Sequence, residues 1–243
     1  MEQNRVAIVT GGSRGIGRAT SERMARDGFA VAIAYASRSA EADDTVAGIR
    51  ASGGTAIAIQ ADVADETAVA SLFDTAEKEF GGVDVVVNAA GVMTLAPVVD
   101  FDLDAFDRMM RTNVRGTFVV DQQAARRLRT GGAIINFSTT VMKTQMPNYA
   151  AYVATKGAVE GMGLILAREL AGRDITVNTV APGPTATELF LEGKDDALLE
   201  RLANMNPMHR LGVPDDIAEV VSFVAGPARW INGQVLYVNG GMA

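Results

Sequence analysis

Runs of uninterrupted apolar, often β-branched residues alternate along the whole chain with stretches whose apolar positions recur at helical spacing. Residues 6–10, 30–35, 56–60, 83–88, 133–138, 175–180 and 235–238 read as strands. Most show no polar alternation, so burial on both faces is expected, as in a parallel sheet. Between them, Val69, Leu72, Phe73, Ala76 and Phe80 follow helical spacing. So do Phe106, Met109, Met110 and Val114, and later Val159, Met162, Ile165, Leu166 and Leu170. Strand-helix alternation of this kind predicts an α/β fold: a doubly wound parallel sheet of about seven strands, with right-handed crossovers and helices on both faces.

No composition break, Pro/Ser-rich linker or internal repeat divides the chain, so residues 1–243 read as a single domain. One stretch departs from the rhythm. Residues 187–207 carry the apolar clusters Leu189-Phe190-Leu191 and Leu198-Leu199-Leu202, separated by Gly193-Lys194-Asp195-Asp196. This predicts a helical excursion acting as a lid over a substrate site.

Charge and composition narrow the function classes. With 22 Lys+Arg against 29 Asp+Glu, the net charge of −7 opposes nucleic acid and anionic membranes as partners. A content of 48% hydrophobic and 21% charged residues is that of a chain with a packed core. The absence of Cys excludes disulfides, thiolate zinc sites, iron-sulfur clusters and a cysteine nucleophile, and the single His209 cannot build a three-histidine zinc site. No residue is assigned to a metal, and a carboxylate-bound Mg²⁺ is the metal class these counts leave open. No apolar run approaches the roughly 20 residues of a membrane span. Met1 to Arg5 lead straight into the first strand without the pattern of a signal peptide, so a cytoplasmic protein is expected.

The first strand runs into Thr10-Gly11-Gly12-Ser13-Arg14-Gly15-Ile16-Gly17 and then a helical segment. Glycine lets the backbone turn sharply and approach a pyrophosphate, while the helix N-terminus offers free N–H groups to the anion. A second strand ends about 20 residues further on, which is the context of a Rossmann dinucleotide site. There, where NAD-selective proteins place an acid on the ribose 2′-OH, this chain has Tyr35-Ala36-Ser37-Arg38-Ser39. Arg14 and Arg38 suit a planar, multidentate contact with a 2′-phosphate. NADP(H) is therefore the preferred cofactor, with NAD(H) as the alternative.

Tyr152 is followed four positions later by Lys156, which puts both side chains on one helical face. Tyr149 has Val153 at that offset, so the pairing singles out Tyr152. Ionising a tyrosine near neutrality needs a shift of roughly 3 units, or about 4 kcal/mol. One ammonium at about 4 Å supplies about that much at an effective dielectric of about 20. Tyr152 is thus a candidate general acid for a carbonyl and general base for an alcohol.

The glycine loop, Asp62-Val63, Asn88-Ala89-Ala90-Gly91, Asn113, the Ser138-Thr139-Thr140 hydroxyl cluster, Tyr152-x-x-x-Lys156 and Pro182-Gly183 together resemble the short-chain dehydrogenase/reductase family over essentially the whole chain. Within it, the sequence is similar to the 3-oxoacyl-[acyl-carrier-protein] reductase type and related carbonyl reductases. The resemblance implies that Tyr152 exchanges a proton with the substrate oxygen, while Lys156 lowers its pKa and holds the nicotinamide ribose. It implies that Asn113 supports a water linked to Lys156 and that Asp62 and Val63 bracket the adenine. Asn88, Ala89 and Gly91 would line the cofactor backbone. Pro182, Gly183, Thr185 and Thr187 would complete the cofactor site, Thr187 at the carboxamide or phosphates. It also implies a homotetramer.

The sequence departs from the family's usual serine 13 positions before the tyrosine, where Thr139 stands; a spacing of 14 would choose Ser138. Both hydroxyls stay candidates, with Thr139 ahead. The reading that emerges is reversible hydride transfer between NADP(H) and a small carbonyl or secondary alcohol, chiefly as a ketone or 3-oxoacyl reductase. An acyl-carrier-protein or coenzyme A thioester is a further candidate partner, with Arg129 and Arg173 about where related reductases present arginines to the acidic carrier. The alternatives are an NAD-dependent dehydrogenase of a sugar, polyol or steroid, and a catalytically silent NADPH-binding regulatory protein. Met93 and Met146 are candidate pocket residues, Met162 reads as core, and His209 reads as structural or surface.

Overall fold

A computed structural model describes residues 5–243; the signal-peptide reading concerns Met1 to Asn4 and lies outside them. Seven strands form one sheet: β1 (Val6–Thr10), β2 (Ala30–Tyr35), β3 (Thr55–Gln60), β4 (Val85–Asn88), β5 (Ala133–Phe137), β6 (Thr176–Pro182) and β7 (Val235–Val238). Their order is β3-β2-β1-β4-β5-β6-β7, and every neighbouring pair is parallel. The chain winds outward one way from β1 and the other way from β4. This leaves a crevice beyond the paired strand ends Thr10 and Asn88, where open α/β sheets bind ligands.

The period of two along each strand divides the core between the two sheet faces. Val9, Val31 and Ile33 pack with Met24, Ile49, Ile217 and Val221, which come from α1 (Gly15–Arg26), α2 (Ser39–Ala51) and α10 (Pro214–Ala225). Ile8, Ala32 and Val86 face the other way, against Leu72, Phe73 and Val120 of α3 (Glu66–Phe80) and α5 (Gly116–Arg127). The same face is completed by α7 (Ala150–Glu169), which contributes Ala167. Among the described residues, no helix is long and apolar enough to cross a membrane.

Two helical expectations change. The spacing of Phe106, Met109, Met110 and Val114 predicts one regular helix, but α4 (Leu103–Met109) passes into a π-helical turn over Met110–Arg115 before α5 begins. The wider turn carries Asn113 inward, where it is buried. In α7, the residues against the sheet are Thr155, Lys156, Val159, Gly163 and Ala167, whereas Ile165 is 57% exposed and Met162 only partly buried. Small residues explain this: a Cβ added at Gly163 would lie 3.1 Å from Thr179 Oγ1, so the helix seats on a close approach rather than on its bulky side chains.

Residues 187–207 fold as α8 (Glu188–Leu191), a turn and α9 (Asp196–Ala203). Thr187 Oγ1 accepts the Phe190 N–H at 3.2 Å, and Asp195 accepts the Leu198 N–H at 2.8 Å, so each short helix has its own side-chain cap. The remaining element, α6 (Val141–Thr144), follows the hydroxyl cluster at the end of β5.

Candidate active site

The glycine loop is shaped by close approaches that no other residue allows. A Cβ on Gly17 would lie 2.1 Å from Gly11 O, and one on Gly11, whose φ is +64°, would meet the Ala90 backbone at 2.9 Å. Arg14 stands at the N-cap of α1, no side chain caps that end, and the first turn carries no acid. Backbone N–H groups and the positive end of the helix therefore face the crevice, as an anionic diphosphate requires. Gly11, Ser13, Arg14, Gly15, Ile16 and Gly17 line a cleft of about 430 Å³ together with Tyr35, Ser37, Arg38, Asp62, Val63, Ala89 and Gly91. The structure thus brings these residues together around one cleft.

Local contacts hold this cleft in shape. Burial works against the Asp62 carboxylate, but the Ala64 N–H at 2.9 Å and the Arg111 guanidinium at 2.8 Å outweigh it and keep its pKa below the usual range. Val63 packs against Gly116, where a Cβ would come within 2.6 Å of Val63 Cγ2. At the far end, Arg14 and Arg38 both reach Glu188 of α8, at 3.0 and 3.3 Å, and Arg38 also pairs with Glu41 at 2.8 Å.

Tyr152 and Lys156 project from the first turns of α7 into a second cavity of about 160 Å³. Lys156 is buried; its ammonium donates to Phe137 O at 2.9 Å and lies 5.6 Å from the Tyr152 ring centroid. Burial pushes its pKa down to about 8. The Tyr152 phenol is raised well above its ordinary value, by burial first and by Tyr149 second. Removal from water penalises the phenolate, the reverse of the direction expected from Lys156. Tyr152 is accordingly held as a neutral O–H donor. The Tyr149 ring meets it edge-on, with centroids 6.4 Å apart.

Ser138 and Thr139 both line the cavity, but their hydrogen bonds differ. Ser138 Oγ donates to Glu160 Oε1 at 2.6 Å, so its proton is engaged by a carboxylate one helical turn beyond Lys156. Thr139 Oγ1 accepts from Val141 N at 3.3 Å and keeps its own proton for another acceptor. That geometry favours Thr139 as the hydroxyl that meets a substrate oxygen.

The side chains of two expected site residues, Asn88 and Asn113, are bonded within the chain itself. Asn88 is turned into the sheet: its Nδ2 donates to Asp121 Oδ1 and Asn136 Oδ1, each at 2.8 Å, while Asn136 Nδ2 donates to Asp121 Oδ2 at 2.9 Å. Asp121 of α5 is buried, and burial raises its pKa to about 7 against the pull of Asn136 and Asn88. This closed network ties β4, β5 and α5 together behind the cleft. Asn113 also works from behind: its amide pairs reciprocally with the Val92 backbone, accepting at 2.9 Å and donating at 2.8 Å, and its Nδ2 reaches Thr155 Oγ1 at 3.2 Å. Its side chain positions the loop after β4. Pro182, Gly183 and Thr185 border the smaller cavity, with Thr185 Oγ1 donating to Gly183 O at 2.9 Å, whereas Thr187 borders both cavities.

Sequence reasoning missed much of the cavity wall. Tyr149, Leu189, Phe190, Leu202 and Met242 line it beside the expected Met93 and Met146. Among the described residues, Lys156 is the only charged one in the lining. The clustered apolar residues of 187–207 were the available signal, though nothing local told which side chains turn inward. Arg129 and Arg173 are both tied to the chain: Arg173 donates to Ala125 O and to Leu128 O, the latter at 2.9 Å, and Arg129 lies 3.5 Å from Asp84, its buried Nη2 without a partner among the described residues. His209 is exposed, with φ at +50°.

Comparison with known proteins agrees with this geometry. The family model described as enoyl-(acyl carrier protein) reductase matches residues 11–243. A short-chain type dehydrogenase/reductase of Picea abies is 45% identical, over 98% of this chain and 92% of its own length. NADPH-dependent aldehyde reductase 2, chloroplastic, of Arabidopsis thaliana is 41% identical, over 98% and 93%. A crystal structure of a short-chain dehydrogenase from Burkholderia cenocepacia J2315 in complex with NADP has a TM-score of 0.92 at 41% identity, over 99% of this chain and 98% of that one. With a seven-stranded parallel sheet, a glycine cradle and the Tyr152–Lys156 pair at one crevice, this chain belongs to the short-chain dehydrogenase/reductase family of oxidoreductases, which act on carbonyl or CH–OH groups with NAD(P).

Proposed function

We propose that the protein is an NADPH-dependent reductase of compact, neutral carbonyl compounds. The observation that carries this reading is the juxtaposition of Tyr152, Thr139 and Lys156 in an apolar cavity that shares Ala89, Gly91, Ile16 and Thr187 with the glycine-lined cleft. The cleft fits a dinucleotide: its closest backbone approaches exclude any side chain, and its helix end is uncapped. When bound there, NADPH supplies the hydride. The protein's own residues bind, orient and deliver the proton. Thr139 Oγ–H and Tyr152 Oη–H both donate to the substrate oxygen, and Tyr152 gives up its proton as negative charge develops there. A phenol kept protonated is the form that reduction needs. Lys156, fixed by Phe137 O, adds positive charge close to that proton, and Asn113 holds the Val92 loop against the cavity.

Arg14 and Arg38, with no acid at the end of β2, support NADPH over NADH, as do the NADPH-dependent relative and the NADP complex. The cavity of about 160 Å³ is bordered by Ile16, Gly91, Gly183 and Thr187 of the cofactor site, so a bound nicotinamide shares it, which supports a compact substrate. Its single cation is already bonded to a carbonyl, which disfavours carboxylate substrates. Arg129 beside Asp84, and Arg173 held by backbone carbonyls, give less support to an acidic carrier protein. The exposed Phe118, Leu164 and Ile165 on α5 and α7 support self-association, in keeping with the homotetramer expected from the family.

Initial rates of NADPH and NADH oxidation over small aldehydes, cyclic ketones, diketones, β-ketoesters and 3-oxoacyl thioesters test this reading. Compact neutral carbonyls with NADPH are expected to give the highest kcat/KM. A preference for thioesters that rises with acyl length would replace it with the 3-oxoacyl reading. Turnover seen only as NAD-dependent alcohol oxidation would replace it with the dehydrogenase one.

A further inference from the structure

The two arginines that flank the ribose end of the cleft already hold an anion supplied by the chain itself. Glu188 Oε2 lies 3.0 Å from Arg14 Nη1, and Glu188 Oε1 lies 3.3 Å from Arg38 Nη1. Arg14 belongs to the glycine loop and Arg38 follows β2, while Glu188 opens α8, 174 and 150 positions further along the chain. The two guanidiniums, Arg14's hydrogen bond foremost, hold the Glu188 carboxyl below the usual range, so it is an anion at neutral pH. Carboxylate and phosphate present the same oxygen pattern to a guanidinium.

We propose that Glu188 is a latch: its carboxylate occupies the subsite of the cofactor 2′-phosphate and pins α8 across the cleft until that phosphate displaces it. The inference rests on the reading of Arg14 and Arg38 as the 2′-phosphate site and deepens it. Three features make exchange feasible. All three side chains are substantially exposed, at 39%, 46% and 60%, and exposed ion pairs are weak and replaceable. Arg38 is held independently by Glu41 of α2, so it stays in place when Glu188 leaves. The phosphate brings more negative charge than one carboxylate, and the two anions repel when they share the same pair of cations.

The latch connects two sites because the residues on either side of Glu188 belong to both. Leu189 and Phe190 wall the substrate cavity, and Thr187, which caps α8, packs beside Gly15, where a Cβ would come within 3.3 Å of it. Release of Glu188 frees the strap that carries this wall, so a ligand with the 2′-phosphate loosens α8 and one without it leaves the strap pinned. Linkage makes the coupling reciprocal: whatever frees the strap also favours the phosphate-bearing nucleotide. Glu188 is thus a determinant of cofactor specificity that acts against NADPH.

The test uses 2′,5′-ADP and 5′-ADP as probes on the full chain and on its Glu188→Gln variant, with binding measured by calorimetry. Glu188→Gln is expected to tighten 2′,5′-ADP by about two- to fivefold, the range of an exposed ion pair, and to leave 5′-ADP unchanged. In the unsubstituted chain, 2′,5′-ADP is expected to speed hydrogen exchange at the amides of Phe190, Leu191 and Glu192, which bond back to Thr187 and Glu188, and 5′-ADP is not. An unchanged affinity ratio in Glu188→Gln, or strap exchange indifferent to 2′,5′-ADP, would overturn the latch while leaving the cofactor reading intact. If the unsubstituted chain itself binds both probes equally, the 2′-phosphate site is absent, and the latch falls with it.

Discussion

The two ends of the crevice are built in opposite ways. At the catalytic end, the polar groups are buried and bonded to the chain's own backbone or to one another: Lys156 to Phe137 O, Asn113 to Val92, and Asn88, Asn136 and Asp121 in a closed ring. At the phosphate end, Arg14, Arg38 and Glu188 meet in solvent on three separate elements. Buried polar groups lose so much when left unpaired that they fix one arrangement, whereas exposed ion pairs break at little cost. The contrast separates the tasks: the buried end sets the geometry of proton transfer, and the open end exchanges one anion for another.

The larger effect that sharpens this contrast comes from the hydroxyl pair. Because Thr139 keeps its proton while Ser138 donates to Glu160, Thr139→Ala is expected to lower kcat about 10²-fold, as loss of a transition-state donor does, with little change in NADPH affinity. Ser138→Ala is expected to lower kcat by less than about threefold. Steady-state kinetics of the two variants with one substrate decides between them, and a reversed order would put the catalytic proton on Ser138.

A smaller effect probes the rigidity of the buried end. Asp121 has its pKa raised from an ordinary 3.8 to about 7, so the folded state prefers the protonated form. The stability from that preference is complete below the unfolded value and is lost as pH rises through the folded one. Urea unfolding at about pH 5, 6 and 8 is expected to show the unsubstituted chain losing on the order of 1 kcal/mol per pH unit from this group up to about pH 7, and little more above it. Asp121→Asn is expected to flatten that slope, and an unchanged slope would remove Asp121 as its source.

The parts legible in the sequence are those whose physical cause is local. Strands buried on both faces print as uninterrupted apolar runs, which is why β1, β2 and β7 match the expected residues and the other strands shift only at their ends. The glycine spacing and the Tyr152–Lys156 offset are likewise geometric constraints within one turn. The rest depends on contacts between distant residues. Nothing near Asn113 announces the π-helical turn that carries it inward, and the backbone it pairs with there, at Val92, is 21 positions away. That the Asn88 side chain is bonded to Asp121 depends on a residue 33 positions away. The choice between Ser138 and Thr139 turns on Glu160, and Arg14 and Arg38 look free until Glu188 comes across the cleft. The helical spacing in α7 misled for a related reason: Gly163 and Ala167, not the larger Met162 and Ile165, seat the helix on the sheet.

The most direct test of the division between the two ends is a paired measurement on Tyr152→Phe: turnover of a compact neutral carbonyl, and the dissociation constant of NADPH. The substitution removes only the phenolic oxygen, leaving the ring in contact with Tyr149. Turnover is expected to fall by about 10² to 10⁴, the range of a lost general acid, while NADPH affinity stays within about twofold. Retained turnover, or an affinity for NADPH that collapses along with it, would contradict the account.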